Sequence, residues 1–167
     1  MDYKIRKMVK EDSKAVSHVI TLAWNETYPG IVPDDFLKLL IENEESRAEK
    51  MYREFDDEDT KVLVLEVENN IAGFVRYGKT NDKEYPSSGE IFALYILKKY
   101  HGLGLGKKLV NEAKLKLRCL GFNSMLIGCL KGNPSNEFYK HIGGKYIKDG
   151  LFKRLNIKEN IYYFDNI

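Results

Sequence analysis

Three glycines alternate with leucines at Gly102-Leu103-Gly104-Leu105-Gly106, and Lys107 and Lys108 follow at once. An apolar run, Ile91 to Leu97, comes before them. Leu105, Leu109, Ala113 and Leu117 come after, in four-residue steps. A strand, a glycine loop and the first turn of an amphipathic helix together form an anion site. Glycines let backbone approach a ligand closely. The first N–H groups of a helix have no internal partners, and the helix dipole adds positive potential. A pyrophosphate suits such a place. Two familiar phosphate motifs do not match. A P-loop would need glycine where His101 stands and a hydroxyl where Lys108 stands. A dinucleotide fingerprint starting at Gly102 would need glycine where Lys107 stands. A bare strand-to-helix turn would need only one glycine, and three followed by lysines favour a ligand.

Charge is split along the chain. Residues 42 to 59 hold nine acidic and three basic side chains, a balance of −6. Residues 98 to 118 hold seven basic side chains against Glu112, a balance of +6. Two solvated helix faces would give this pattern, and so would two ends of a ligand with opposite charges. The total of +2 does not by itself point to nucleic acid, and none is expected as a partner. His18, His101 and His141 are scattered, with no metal-ligand spacing, so no metal is expected. Cys119 and Cys129 read as reduced, inert core thiols of a cytoplasmic protein.

The elements that must position these residues follow from periodicity. The chain has 167 residues, 43% hydrophobic and 31% charged, which suits a single domain over residues 1–167. Its longest apolar run has seven residues, too few to span a membrane, and no membrane association is expected. Alternation predicts a strand over Tyr3 to Met8. Helical spacing from Ser13 reaches Thr27, where Tyr28-Pro29-Gly30 breaks it. Pro33-Asp34-Asp35 starts a second helix through Leu40, and the acidic segment forms a third. Val62 to Val67 and Ile71 to Tyr77 form a hairpin, Lys79 to Gly89 a polar loop, and Glu90 to Leu97 a central strand. The helix after the glycine loop ends at Gly121. Ser124 to Cys129 is a strand, Asn133-Pro134-Ser135 opens a helix to about His141, and Lys145 to Lys148 and Tyr162 to Asp165 are the last strands. The order is β-α-α-α-β-β-β-α-β-α-β-β, an α/β (α+β) mixed sheet with helices packed on it.

His101-Gly102-Leu103-Gly104-Leu105-Gly106 resembles the central pattern of the GNAT superfamily of acetyl-CoA-dependent N-acetyltransferases. That pattern has Arg or Gln, two residues, Gly, one residue, then Gly or Ala, between a core strand and a helix. His101 stands where the family has Arg or Gln. A second block, Asn133-Pro134-Ser135-Asn136-Glu137-Phe138-Tyr139-Lys140-His141-Ile142-Gly143-Gly144, resembles the family's Asn-x-x-Ala/Ser/Asn-x-x-Phe-Tyr-x-x-x-Gly-Phe segment, with Gly144 replacing the final aromatic. The run from Trp24 to Leu37 resembles one bacterial subgroup. The spacing of the blocks and the element order agree over nearly the whole chain.

The resemblance implies a mostly antiparallel sheet of six to seven strands, splayed between the fourth and fifth. It also implies that the pantetheine arm of acetyl-CoA lies along Leu94, Tyr95 and Ile96 like an added strand. The Ile96 N–H would donate to the thioester oxygen as charge develops there. Backbone from His101 and Gly102 through Leu103, Gly104, Leu105, Gly106 and Lys107 would hold the pyrophosphate. Asn133 and Asn136 would bind the cofactor too, although Asn133 is equally placed to cap a helix. Tyr139 is the candidate acid for the departing thiolate, or else a core aromatic beside Phe138. Glu90, on the same strand face as Phe92 and Leu94, is the candidate base, or else a solvated strand-end carboxylate. Trp24, Tyr28 and Phe36 either wall the acceptor pocket or fill the core.

The expected function is acetyl transfer from acetyl-CoA to a primary amine by direct attack. The basic segment coincides with the phosphate loop and the acidic one with the early helices, where the family places its acceptor. This favours a cationic small molecule or a peptide amine. A non-catalytic acetyl-CoA sensor is the alternative, resting on His101 and Gly144. Relatives are often dimers, so a homodimer is expected.

Overall fold

The computed structural model describes Met1–Ile167. Its elements are β1 (Tyr3–Lys7), α1 (Ser13–Thr27), α2 (Asp34–Glu42), α3 (Glu44–Arg53), β2 (Val62–Val67), β3 (Asn70–Lys79), β4 (Gly89–Ile96), α4 (Leu105–Cys119), β5 (Ser124–Leu130), α5 (Ser135–His141), β6 (Lys145–Phe152) and β7 (Ile157–Asp165). Short 3-10 turns lie at Lys10–Asp12 and Lys98–Tyr100. The expected order of strands and helices holds throughout. The strands follow one another as β1-β2-β3-β4-β5-β7-β6. The sheet is mostly antiparallel, with β4 and β5 parallel. The β4–β5 register takes in Gly89–Ile91 and Met125–Ile127, three of the eight residues of β4. No helix is long and apolar enough to cross a membrane.

The chain forms two compact units. The first comprises Met1–Arg76 and Ala93–Val110. Here β1 and β2 pair antiparallel with Ile5 opposite Leu65, and β2 pairs with β3 through a bulge at Leu65/Glu66. Val64 and Leu65 are fully buried, and each such side chain contributes about 1.5–3 kcal/mol. Met8, Val16, Val19, Phe74 and Leu97 share a core with Val64. Polar ties fix the helices. Arg47 on α3 donates to Ser17 Oγ (3.0 Å), the Ser17 carbonyl (3.0 Å), Thr21 Oγ1 (2.6 Å) and the Leu40 carbonyl (3.2 Å). Arg6 on β1 joins Asp12 and Glu66.

The second unit comprises Tyr77–Phe92 and Asn111–Ile167. Strand β7 runs antiparallel to β5, with Ile127 opposite Tyr162, and to β6, with Gly150 opposite Glu159. The last two strands are longer than alternation suggests, reaching Phe152 and starting at Ile157. A turn through Asn156 at φ +53° joins them. The polar loop after β3 is pinned to this sheet. Lys148 pairs with Asp82 (2.8 Å) and Glu84 (3.2 Å), and the Tyr85 and Tyr163 rings are 5.4 Å apart.

Candidate active site

The first unit carries the glycine loop. Gly102 and Gly104 have φ of +76° and +73°, where an L side chain is strained. A Cβ at either would meet nothing within 4 Å, so backbone conformation, not crowding, requires these two glycines. Gly106 is the second residue of α4. The N–H groups of Leu105, Gly106 and Lys107 lie in the first turn of α4, while that of Lys108 reaches the Gly104 carbonyl at 3.3 Å. The loop backbone is open to a ligand, and Leu103 and Lys107 are exposed. Lys108 is committed elsewhere. Its Nζ donates to the Tyr3 hydroxyl at 2.7 Å and lies over the Tyr3 ring.

The loop is anchored to the end of β4. The Leu97 N–H donates to the Ala72 carbonyl of β3 at 2.9 Å. Backbone groups alternate along a strand, so the Ile96 N–H and carbonyl face the opposite edge of β4. His101 Nε2 lies 2.7 Å from that carbonyl. Gly73 of β3 lets the strands approach at this point. A Cβ there would stand 2.5 Å from the Tyr95 carbonyl oxygen and 2.8 Å from Ile96 Cγ1. Sequence reading missed Gly73, because a glycine within a strand signals close approach without naming the partner.

Trp24, Tyr28 and Phe36 are buried, with 6%, 7% and 8% exposure. Trp24 stacks with Tyr28 at 4.4 Å and meets Phe36 at 5.4 Å, and the cluster reaches Tyr95 at 6.2 Å. The core role weighed for them is the one their burial supports. Leu94, Tyr95 and Ile96 are all half-buried.

The second unit carries the other candidates. Glu90, near the start of β4, is half-buried and accepts a hydrogen bond from Thr80 Oγ1 at 2.6 Å. Such a bond favours the ionised carboxylate. Asn133 Oδ1 accepts from the Ser135 N–H, at the first residue of α5, at 2.8 Å. The Asn136 amide uses every donor and acceptor it has. It donates to the Leu130 and Asn133 carbonyls and accepts from Asn160 Nδ2 and the Tyr162 hydroxyl. A contact between Asn136 and a cofactor would therefore displace an internal bond. Tyr139 is 6% exposed, and its ring meets Phe138 at 5.3 Å and Tyr162 at 5.9 Å. The Gly144 departure has a packing cause. A Cβ there would stand 2.7 Å from both the Tyr139 carbonyl oxygen and Phe164 Cζ.

Sequence reading also missed Thr80 and Glu159. Glu159 lies on β7, in the part of that strand that alternation did not reveal. Burial, and then the neighbouring Glu90 charge, raise its pKa above the ordinary value. The cysteines divide. Cys129 is buried, and desolvation pushes its thiol up to about 12, so it is inert as expected. Cys119 is exposed near the end of α4, contrary to the core position expected of it, because it falls on the polar side of that helix.

Comparison with known proteins agrees with the fold and the motifs. A protein 26% identical over 160 residues, spanning 92% of this chain and 87% of its own, is the uncharacterized N-acetyltransferase YuaI of Bacillus subtilis. The PaiA N-acetyltransferase of Thermoplasma acidophilum, solved with coenzyme A, superposes with a TM-score of 0.79 at 21% identity, covering 99% of each chain. The acetyltransferase yncA of Salmonella typhimurium, solved with acetyl-CoA, gives 0.65 at 19% identity, covering 100% of this chain and 95% of its own. The acetyltransferase (GNAT) family model matches residues 18–143, and the chain therefore belongs to that family of N-acetyltransferases.

Proposed function

We propose that this enzyme transfers the acetyl group of acetyl-CoA to a primary amine on a cationic small molecule or peptide, by direct attack. The observation that carries the amine reading is Glu90, a half-buried carboxyl that accepts a hydrogen bond from the Thr80 hydroxyl at 2.6 Å. An alkylamine arrives as ammonium at pH 7 and must lose a proton before it attacks.

Acetyl-CoA binding is supported by the left-handed glycines, which leave the first turn of α4 open to a pyrophosphate. Backbone of Gly102 through Lys107 would hold the phosphates, and Leu94 to Ile96 the pantetheine amides. Bound acetyl-CoA supplies an activated acetyl thioester. The Ile96 N–H, turned away from β3, donates to the thioester oxygen as it gains charge. A carboxylate takes the first proton from the ammonium. The C–N bond then forms as the C–S bond breaks. The Tyr139 phenol gives its proton to the leaving sulfur and regains one from the amide nitrogen, so one proton is released per turnover. Asn133 Oδ1 accepts from the first N–H of α5, the helix that carries Tyr139.

Calorimetric titration of acetyl-CoA and coenzyme A tests the first half, with Gly104→Glu as the control that should not bind. An amine panel read by thiol release tests the second. With an amine that turns over, Tyr139→Phe should lower kcat by about 10²-fold and leave coenzyme A affinity unchanged. Cofactor binding with no thiol released by any amine would overturn the catalytic reading and leave a binding module.

A further inference from the structure

Glu159 has no role in the machinery described so far, yet its carboxylate is packed against the backbone of a neighbouring strand. A Cβ at Gly128 would stand 2.8 Å from Glu159 Oε2 and 2.9 Å from Cδ, so the carboxylate lies directly on the backbone of β5 at this glycine. Gly150 on β6 is crowded first by Ile161, whose Cδ1 would stand 2.7 Å from a Cβ there, with Glu159 Cγ at 3.1 Å. Strand β5 lies between Glu159 and Glu90, and the Glu159 carboxylate reaches across it toward Glu90. Glu90 is opposite Leu126, Glu159 is opposite Leu130, and Gly128 lies between these two on the same face of β5. Gly128 is therefore the diagonal neighbour of Glu90, and the Glu159 carboxylate rests on Gly128. No ion pair of the protein includes Glu159.

The two carboxyls have opposite surroundings. Glu90 has a hydroxyl donor that favours its charge. Glu159 is desolvated and repelled by Glu90, and both effects favour its protonated form. Other titratable groups nearby are engaged or turned away. Lys148 of β6 is taken by Asp82 and Glu84, Asp149 by Lys131, and Cys129 points to the other face of β5. Lys158 precedes Glu159 and points to the opposite face, and Tyr163 faces Tyr85. Neighbouring carboxyls in different surroundings can divide their roles.

We infer that Glu159 is the general base of the reaction, and that Glu90, hydrogen-bonded by Thr80, attracts the ammonium beside it. The ammonium N–H bond breaks, its proton moves to the Glu159 carboxylate, and the electron pair left on nitrogen makes the attack. Glu159 later returns the proton to water. This rests on the acetyl-transfer reading above.

The test uses the full chain labelled with 13C at the glutamate carboxyl. The Glu159 resonance, assigned by its loss in Glu159→Gln, should titrate above the ordinary glutamate range and move down in Glu90→Gln. With a panel amine that turns over, Glu159→Gln should lower kcat by about 10²-fold and abolish the acid limb of the pH profile. Glu90→Gln should raise KM and shift that limb to lower pH, because it removes the repulsion. Gly128→Ala keeps the charge but pushes the carboxylate off its place on β5, and should lower kcat with the thermal midpoint close to wild type. A Glu159 resonance in the ordinary range, or indifferent to Glu90→Gln, would overturn the pair. An unchanged acid limb in Glu159→Gln would overturn the base. Thiol release by no amine would sink the acetyl-transfer reading, and the base with it, while leaving the carboxyl coupling visible.

Discussion

His101 Nε2 lies 2.7 Å from the Ile96 carbonyl oxygen, so the loop after β4 is bonded back onto the last residue of that strand. The oxygen only accepts, so the ring nitrogen carries the proton. Relatives that place Arg or Gln here have a longer side chain to offer a phosphate. This chain uses the position to fix the peptide next to the proposed thioester-oxygen donor. Losing one such bond costs about 1 kcal/mol. His101→Ala should therefore lower kcat by about fivefold, with a smaller change in coenzyme A affinity. His101→Gln, which can still donate, should recover most of the loss. Thiol-release kinetics with parallel calorimetry separate the two effects, and an unchanged kcat in His101→Ala would remove the brace from the mechanism.

Gly104 offers a different kind of test, because its surroundings are empty and its backbone is not ordinary. At φ +73°, and with nothing within 4 Å of where a Cβ would stand, the penalty for alanine is conformational alone. That penalty is about 1–2 kcal/mol. Gly104→Ala should lower the thermal midpoint by roughly 3–6 °C and weaken coenzyme A binding together with it. Asparagine tolerates the left-handed region better, so Gly104→Asn should fall between alanine and wild type. A crowding explanation would instead rank asparagine below alanine, being the larger residue.

The order of these elements was legible because each announces itself locally. Apolar runs such as Val62 to Val67 and breakers such as Tyr28-Pro29-Gly30 mark ends without long-range information. The exception is the β6–β7 hairpin, where Asp149, Lys153, Arg154, Lys158 and Glu159 interrupt the alternation. Strand pairing, not hydrophobic pattern, defines that stretch, and Glu159 was lost with it. The glycine loop was legible for its composition, but not for its cause. Which glycine serves a left-handed turn (Gly104) and which admits another strand (Gly73) depends on neighbours distant in sequence. The engagement of Lys108 by Tyr3, 105 residues away, is equally invisible to spacing.

Stability should respond to acid through Asp12. Burial opposes its ionisation, but hydrogen bonds from Arg6 and the Val9 N–H, with the Arg6 charge, outweigh burial and hold the carboxyl below its ordinary value. A carboxyl depressed in the folded state adds stability above its unfolded pKa and loses it as pH falls through the folded one. Asp12→Asn should therefore destabilise the protein at pH 7 by about 1–2 kcal/mol, between an exposed and a fully buried pair. Urea titrations of both proteins at pH 7 and near pH 3 should show the gap closing at the lower pH. A gap that persists there would assign the effect to packing.

The acidic segment separates into structural and available charges, which sharpens the test of a cationic acceptor. Glu44 accepts from His18 at 2.9 Å, Asp56 Oδ1 accepts from the Glu58 and Asp59 N–H groups, and Lys7 engages Asp57. Glu45 and Glu49, one turn apart on α3, instead line an open groove of about 920 Å³ with Glu11, Glu42 and Tyr52. Neutralising Asp56 would disturb a turn, whereas Glu45→Gln with Glu49→Gln changes the groove's charge alone. If the groove attracts the acceptor, this double variant should raise KM for 1,4-diaminobutane several-fold at low ionic strength and leave kcat unchanged. The difference should shrink near 1 M salt, where screening reaches about 3 Å. A monoamine of similar length controls for the second charge. Equal KM values in wild type and the double variant would separate the acidic segment from acceptor binding and leave it as a solvated helix face.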